Sequence, residues 1–237
     1  MVAVTEPTAP PSRALALAVV LAAAAGFVDA HIYLFVVQVF VANQSGNLIG
    51  LGMATGQESW HTATSTLVAI ASFVAGVLGA TTLLRRDAAA GLPPRPHLLL
   101  AIEAGALLVL AVGLGVVDPH LSDGWRLIDV VVIVVAAGAM GVQSTSIRTV
   151  GTISVTTTYG TGALVRIGEK LAAPLRADGS AGDPLRMQTI AVVLIVLCGY
   201  VGGAAVSAAL GSGRWLVLVP ALAMTGVAIT AQRRGIA

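Results

Sequence analysis

Asp29 is the residue best placed to do chemistry in this chain, because it stands where a charge is least welcome. The run from 14 to 37 is apolar, with Asp29 and His31 as its only acidic or basic side chains. A carboxyl roughly 22 Å along a membrane-crossing helix can exchange a proton, contact a polar solute or accept hydrogen bonds. An ionisable group at that depth is a functional candidate by default. The alternative is that Asp29 accepts bonds from neighbouring backbone or Thr groups and fixes the fold. Gly26, Asp29 and Tyr33 share one helical face, which would turn Asp29 to the bundle interior. His31, two residues on, lies on another face and reads as a packed polar residue.

The second candidate is a motif that occurs twice. Ser45-Gly46-Asn47-Leu48-Ile49-Gly50-Leu51-Gly52 returns as Thr161-Gly162-Ala163-Leu164-Val165-Arg166-Ile167-Gly168, 116 positions later. Both are a small hydroxyl residue, Gly, any residue, Leu, a β-branched residue, any residue, an aliphatic and Gly. Flanking echoes support the repeat. Gly26-Phe27-Val28-Asp29-Ala30 precedes the first copy as Gly141-Val142-Gln143-Ser144-Thr145 precedes the second. Ala75-Gly76-Val77-Leu78-Gly79-Ala80 follows the first as Cys198-Gly199-Tyr200-Val201-Gly202-Gly203 follows the second. One such motif reads as close helix packing through small residues. Two, in matching positions of two halves, point to a transporter-like architecture. The later Gly-rich stretches lie within full spans and read as packing.

Other polar residues carry less. Glu103, about a turn and a half into its apolar run, either reaches for the interface or is buried. Asp129 reads as near an outer edge. Gln143, Ser144 and Arg148 are the second-half counterpart of the Asp29 region, with Arg148 read first as a topology determinant. Thr156, Thr157, Thr158 and Tyr159 supply hydroxyls that suit a polar lining or the capping of irregular backbone. No HExxH helix, GxSxG elbow, Walker loop or dinucleotide fingerprint is present. His31, His61, His97 and His120 lack metal-ligand spacing, so no catalytic residue, metal or cofactor is expected. The single Cys198 excludes a disulfide framework.

The elements that position these residues follow from composition. Of 237 residues 57% are hydrophobic and 10% charged, with a mean hydropathy of +0.92. Soluble domains carry about 25% charged residues, so the chain is expected to lie in a lipid bilayer. No basic stripe with interleaved aromatics asks for nucleic acid. Residues 1–13 read as a disordered cytoplasmic tail. Ala23-Ala24-Ala25 imitates a signal cleavage site, but the apolar run continues past it, as in an uncleaved first span.

Runs of the roughly 20 residues a bilayer needs occur at about 14–37, 61–84, 97–117, 125–147, 186–210 and 214–232. Trp60, Trp125 and Trp215 stand at the start of three of them, where indoles favour the interface. Two broken stretches, 39–57 and 152–173, hold the repeated motif. If neither crosses, eleven of the thirteen basic residues fall on one side, and only Arg126 and Arg214 face the other way. If both cross, Arg85, Arg86, Arg95 and Arg148 move outside, against the positive-inside tendency. The expected architecture is an all-α polytopic protein of six transmembrane helices with both termini cytoplasmic. Its halves, 14–117 and 118–237, are inverted three-helix repeats, each with a re-entrant half-helix.

Irregular backbone at membrane depth needs protein or water-filled surroundings. Val39–Gln44 reads as an extended entry and Ser45–Gly56 as a half-helix. Thr152–Gly160 and Thr161–Leu171 are their counterparts, with Ser45 and Thr161 as N-caps. Two half-helices would meet tip to tip, and their N–H groups and positive dipole ends favour an anion or polar solute. The candidate binding residues are Asp29, Tyr33, Asn43, Ser45, Gly46, Asn47, Gln143, Ser144, Thr158, Thr161 and Gly162. Asp29 and Glu103 are the coupling candidates.

The chain resembles the YoaK-like family of bacterial inner-membrane proteins, also called domain of unknown function 1275. The resemblance runs over about 14–232. It rests on Gly26-Phe27-Val28-Asp29-Ala30, on Phe40-Val41-Ala42-Asn43-Gln44-Ser45-Gly46-Asn47-Leu48, on Gly141-Val142-Gln143-Ser144 and on Thr156 through Leu164. That family usually has Thr where Ser45 stands, and Asn-Ala where Ser144-Thr145 stand. The resemblance implies a six-span bacterial membrane protein and brings no substrate with it.

The function expected is a small transporter or channel for a small polar or anionic metabolite, in the bacterial inner membrane and as a homo-oligomer. The alternative is a non-transporting scaffold or sensor that binds a lipid or protein partner. Dry packing around Ser45 and Thr161 would favour the scaffold, and a cavity lined by both motifs would favour transport.

Overall fold

The computed structural model describes residues 12–93, 95–116, 127–146, 149–150, 153–155, 157–158, 160–172, 184–213 and 215–234. The long elements are α1 (Ser12–Phe35), α3 (Trp60–Ala89), α4 (Pro96–Val116), α5 (Leu127–Ser146) and α7 (Pro184–Leu210). These five are long and apolar enough to cross a bilayer. Two short helices, α2 (Gln44–Gly56) and α6 (Thr161–Ala172), hold the two motif copies. At 13 and 12 residues they reach roughly 18–20 Å, short of the ~30 Å hydrocarbon core. The last helix, α8 (Leu218–Arg234), has 17 residues. It starts later than the apolar run at 214 implies, because Leu216 and Leu218 donate to Gly213 and Trp215 in turns at 3.0 and 2.9 Å. The tail expectation for 1–13 falls outside the described residues except for Ser12 and Arg13, which open α1.

The core is built from pairs of helices. α1 packs on α7, α3 on α5 and α4 on α8, with α4 also against α5 and α1 against α8. α1 is the most enclosed of the five long helices and α3 the least. Leu67, Val74 and Leu78 of α3 face outward, as suits a lipid solvent in which apolar surface needs no cover. Leu21, Val28, Ile32, Leu107, Ile133, Met140 and Met224 form the interior.

Glycine sets the closest of these contacts. A Cβ at Gly26 would run into the Tyr200 carbonyl, and one at Gly203 into the Ala23 carbonyl. On the other pair, a Cβ at Gly141 would meet the Phe73 carbonyl and one at Gly76 the Gly138 carbonyl. These two crossings have the same register. Ala23 and Gly138 are 115 positions apart, as are Gly26 and Gly141; Phe73 and Tyr200 are 127 apart, as are Gly76 and Gly203. The Gly-rich stretches therefore do pack closely, as their sequence indicates. Gly76, however, corresponds to Gly203 rather than to Gly199, a shift of about one helical turn.

The motif helices begin differently from expectation. Asn43, not Ser45, caps α2: its Oδ1 accepts from the Gly46 N–H at 3.3 Å, and the Ser45 hydroxyl itself donates to that oxygen at 2.8 Å. α6 starts from the Gly160 carbonyl, which accepts from Leu164 N–H at 3.0 Å, so Thr161 is its first residue rather than its cap. The second entry is not a single extended run. Thr149–Val150 (β1) pairs antiparallel with Ile153–Ser154 (β2), the only strand pairing among the described residues. The rest of the described regular structure is helical. Beyond α3, Arg95 grips Asp87 with Nε at 2.9 Å and Nη2 at 2.5 Å, closing the α3–α4 connection.

Candidate functional site

Asp29 is buried on α1 and works on the chain leading into α2. Its Oδ1 accepts the N–H groups of Val41 at 2.6 Å and Ala42 at 2.8 Å. Its Oδ2 accepts the N–H of Asn43 at 3.2 Å and the Tyr200 hydroxyl at 2.5 Å. A carboxylate offers about four acceptor positions, and all four are met. The neighbouring contacts complete the job. Asn47 accepts from Phe40 N–H at 3.0 Å, and its Nδ2 donates to the Phe40 carbonyl at 2.6 Å and to Gln44 Oε1 at 2.9 Å. Gln44 Nε2 donates to the Val41 carbonyl at 3.0 Å. Tyr33 stacks on the Phe40 ring at 4.3 Å, with Gly46 leaving room for that ring. Irregular backbone out of water must be satisfied by protein, and these side chains satisfy it. Sequence placed Tyr33 on the buried face with Asp29; it is instead 37% exposed, with its ring stacked on Phe40.

The second half builds its lead-in with other residues. Gln143 is fully buried, and its Nε2 donates to the Leu21 carbonyl at 2.9 Å and to Thr157 Oγ1 at 3.1 Å. Among the described residues, Gln143 Oε1 and the buried Thr158 hydroxyl have no partner. Ser144, at the position corresponding to Asp29, donates to its own helix at the Gly141 carbonyl, 2.7 Å away. Phe73 stands where Tyr200 stands in the other crossing. The Asp29–Tyr200 contact thus has no equivalent there. Arg148, Thr156 and Tyr159 lie outside the described residues.

Between the two motif helices lies a cavity of about 690 Å³. The first turn of α2 lines it through Gln44 and Ser45, and the first turn of α6 through Thr161 and Gly162. Ser144 of α5 and Phe73 of α3 form the wall where the second half lacks an Asp–Tyr pair, and Ala42, Ser154 and Val155 complete it. Among the described residues Arg166 is its one charged lining residue; the guanidinium Nη1 also donates to the Ser154 carbonyl. Of the sequence-stated candidates, Ser45, Ser144, Thr161 and Gly162 share this cavity. Asp29, Tyr33, Asn43, Gly46, Asn47, Gln143 and Thr158 do not line it.

Gln44, Phe73, Ser154 and Arg166 were missed. Arg166 carried a signal: it follows Gly162 by four, one helical turn, and so shares its face. Charge counting alone reads it as a topology determinant.

The remaining polar candidates sit apart. Glu103 of α4 is fully buried, and both carboxyl oxygens lack a partner among the described residues. His31 is buried between the Phe27 and Phe35 rings at 6.1 and 5.4 Å. Asp129 is half-buried. Among the described residues no three His, Cys, Asp or Glu side chains converge as a metal site.

Long apolar helices, outward-facing aliphatic side chains and side-chain-stitched irregular backbone define a polytopic helical membrane protein. The chain belongs to the family described as protein of unknown function (DUF1275), which matches residues 17–230. It is similar to the UPF0700 transmembrane protein YoaK of Bacillus subtilis (strain 168), at 28% identity over 211 residues, covering 88% of this chain and 89% of that one. No solved structure matches it.

Proposed function

We propose that this chain is a small transporter or channel that holds a small polar or anionic solute between the N-termini of α2 and α6. The observation that carries the reading is the 690 Å³ cavity lined by both copies of the repeated motif. Dry packing of that space would have favoured a scaffold instead. The size falls within the 300–1,000 Å³ typical of small-molecule sites. Two helix N-termini bring positive dipole ends, Arg166 supplies a full positive charge, and among the described residues no acidic side chain lines the space. That balance favours an anion.

The architecture proposed with it has six spans, α8 being the sixth, with α2 and α6 as re-entrant arms. Two inverted repeats, 14–117 and 118–237, are supported by the packing scheme: exchanging α1 with α5 and α3 with α7 turns the α1–α7 contact into the α5–α3 contact. The matched glycine crossings support the same exchange. Inversion, cytoplasmic termini and the bacterial inner membrane rest on the basic residues, eleven of thirteen on one side.

The test is a thermal-shift screen of small carboxylates, phosphates, polyols and amino acids on the purified protein, followed by flux in proteoliposomes. An anionic hit should bind Arg166→Gln roughly 10–100-fold more weakly, the worth of a charge-assisted hydrogen bond. Ser45→Trp should plug the cavity and stop flux. A solute that moves equally well through wild type and both variants would refute the placement of the site.

A further inference from the structure

Glu103 is the one acidic side chain in the described interior that has nothing to hold it. It lies seven residues past Pro96, roughly 10 Å along α4. It is 0% exposed, and neither Oε1 nor Oε2 has a hydrogen-bond partner among the described residues. α4 packs against α8 and α5. The acidic and basic residues of those helices are Asp129 in the first turn of α5 and Arg233 and Arg234 at the end of α8, with His97 in the first turn of α4 itself. No ion pair to Glu103 is present among the described residues. On its own helix the neighbours that share its face, Leu99, Leu100 and Leu107 at i−4, i−3 and i+4, are apolar and buried.

Asp29 shows what a retained structural carboxylate looks like in this protein, with four donors on two oxygens. Glu103 has none. An isolated carboxylate in such a place would cost many kcal/mol, and the group neutralises instead. A structural role needs partners, and among the described residues none is there. What remains for an acidic side chain here is its proton.

We propose that Glu103 is a proton-binding site: it holds its carboxyl as the neutral acid and releases the proton when its surroundings admit water. In that step the Oε–H bond breaks, the proton passes to water, and the carboxylate is left with the bonding pair. If the transport reading holds, the coupling ion is a proton and α4 carries it. The proton site itself does not depend on that reading.

The test is infrared spectroscopy of the protein in lipid vesicles. At neutral pH a carboxylic-acid carbonyl stretch should be present, shift in D2O, and vanish in Glu103→Gln and Glu103→Met. Glu103→Met replaces the side chain by an apolar one of similar length, so it is expected to fold even if the Gln variant aggregates, with size-exclusion elution as the control. Absence of an acid band lost on substitution would overturn the proposal. So would a band that never exchanges with D2O and never titrates, which would mark a sealed structural acid. Failure to find any solute would count against transport alone, leaving the proton site standing.

Discussion

Asp29→Asn converts an acceptor of four bonds into a group that must present an amine to donors. If Oδ1 is replaced, the Val41 and Ala42 N–H groups lose their acceptor; if Oδ2 is replaced, only the Asn43 N–H does, because the Tyr200 hydroxyl can turn and accept from the new NH2. Each buried donor left unmet costs about 1–3 kcal/mol, and the variant takes the cheaper orientation, so the lead-in to α2 should lose about 1–3 kcal/mol of local stability. Hydrogen–deuterium exchange read by mass spectrometry reports this directly. At the middle of that range, about 2 kcal/mol, exchange at Val41, Ala42 and Asn43 should quicken by roughly 30-fold. Tyr200→Phe removes one donor and leaves three, so it should quicken exchange there by only about fivefold. Exchange in Asp29→Asn within about threefold of wild type would refute the clamp. The positioning role also has a signature in transport: once a solute is known, Asp29→Asn should lower its flux without moving the pH dependence.

Other consequences can be checked in parallel. Gly26→Val forces a side chain into the Tyr200 carbonyl and should destabilise by about 3 kcal/mol or more, read as a lowered Tm in detergent. Gly50→Ala has nothing within 4 Å of the new Cβ and should stabilise α2 by up to about 1 kcal/mol, so an equal response of the two variants would refute the packing argument. Ser45→Cys and Thr161→Cys, each made with the exposed Cys198 replaced by Ser, should both be protected from a small thiol reagent by the same solute. Protection of one alone would separate the two motif helices that the shared cavity joins.

Much of the architecture was legible because bilayer solvation leaves strong traces in sequence. Apolar run length located α1, α3, α4, α5 and α7 within a few residues, and Gly and Ser marked where α2 and α6 stop short of spanning. The repeated motif found the cavity, through Ser45 and Thr161. The exchange of roles around it was hidden. Whether a polar residue faces backbone or open space depends on partners distant in sequence, and Tyr200 lies 171 positions from Asp29. Asn43, Gly46 and Asn47 therefore read like a binding loop while serving their own backbone. Arg166 was hidden for another reason: a basic residue near a helix end has two uses, and charge counting sees one. The four-residue shift of Gly76 against Gly203 escaped because aligned small residues carry little register information.

The acceptors on Asp29 also set an order of events during synthesis. Three of its four donors follow it in the chain by 12, 13 and 14 positions, whereas Tyr200 is made 171 residues later. At about 5–20 residues per second that gap lasts roughly 10–30 s. Throughout it α1 waits in the nascent protein without α7, the helix against which Gly26 will close. An acid that depended on Tyr200 alone would spend that interval bare. Because the nearby loop wraps it first, α1 and its lead-in can enter the bilayer as a self-satisfied unit. The late hydroxyl then serves to register the returning helix against a partner already in place.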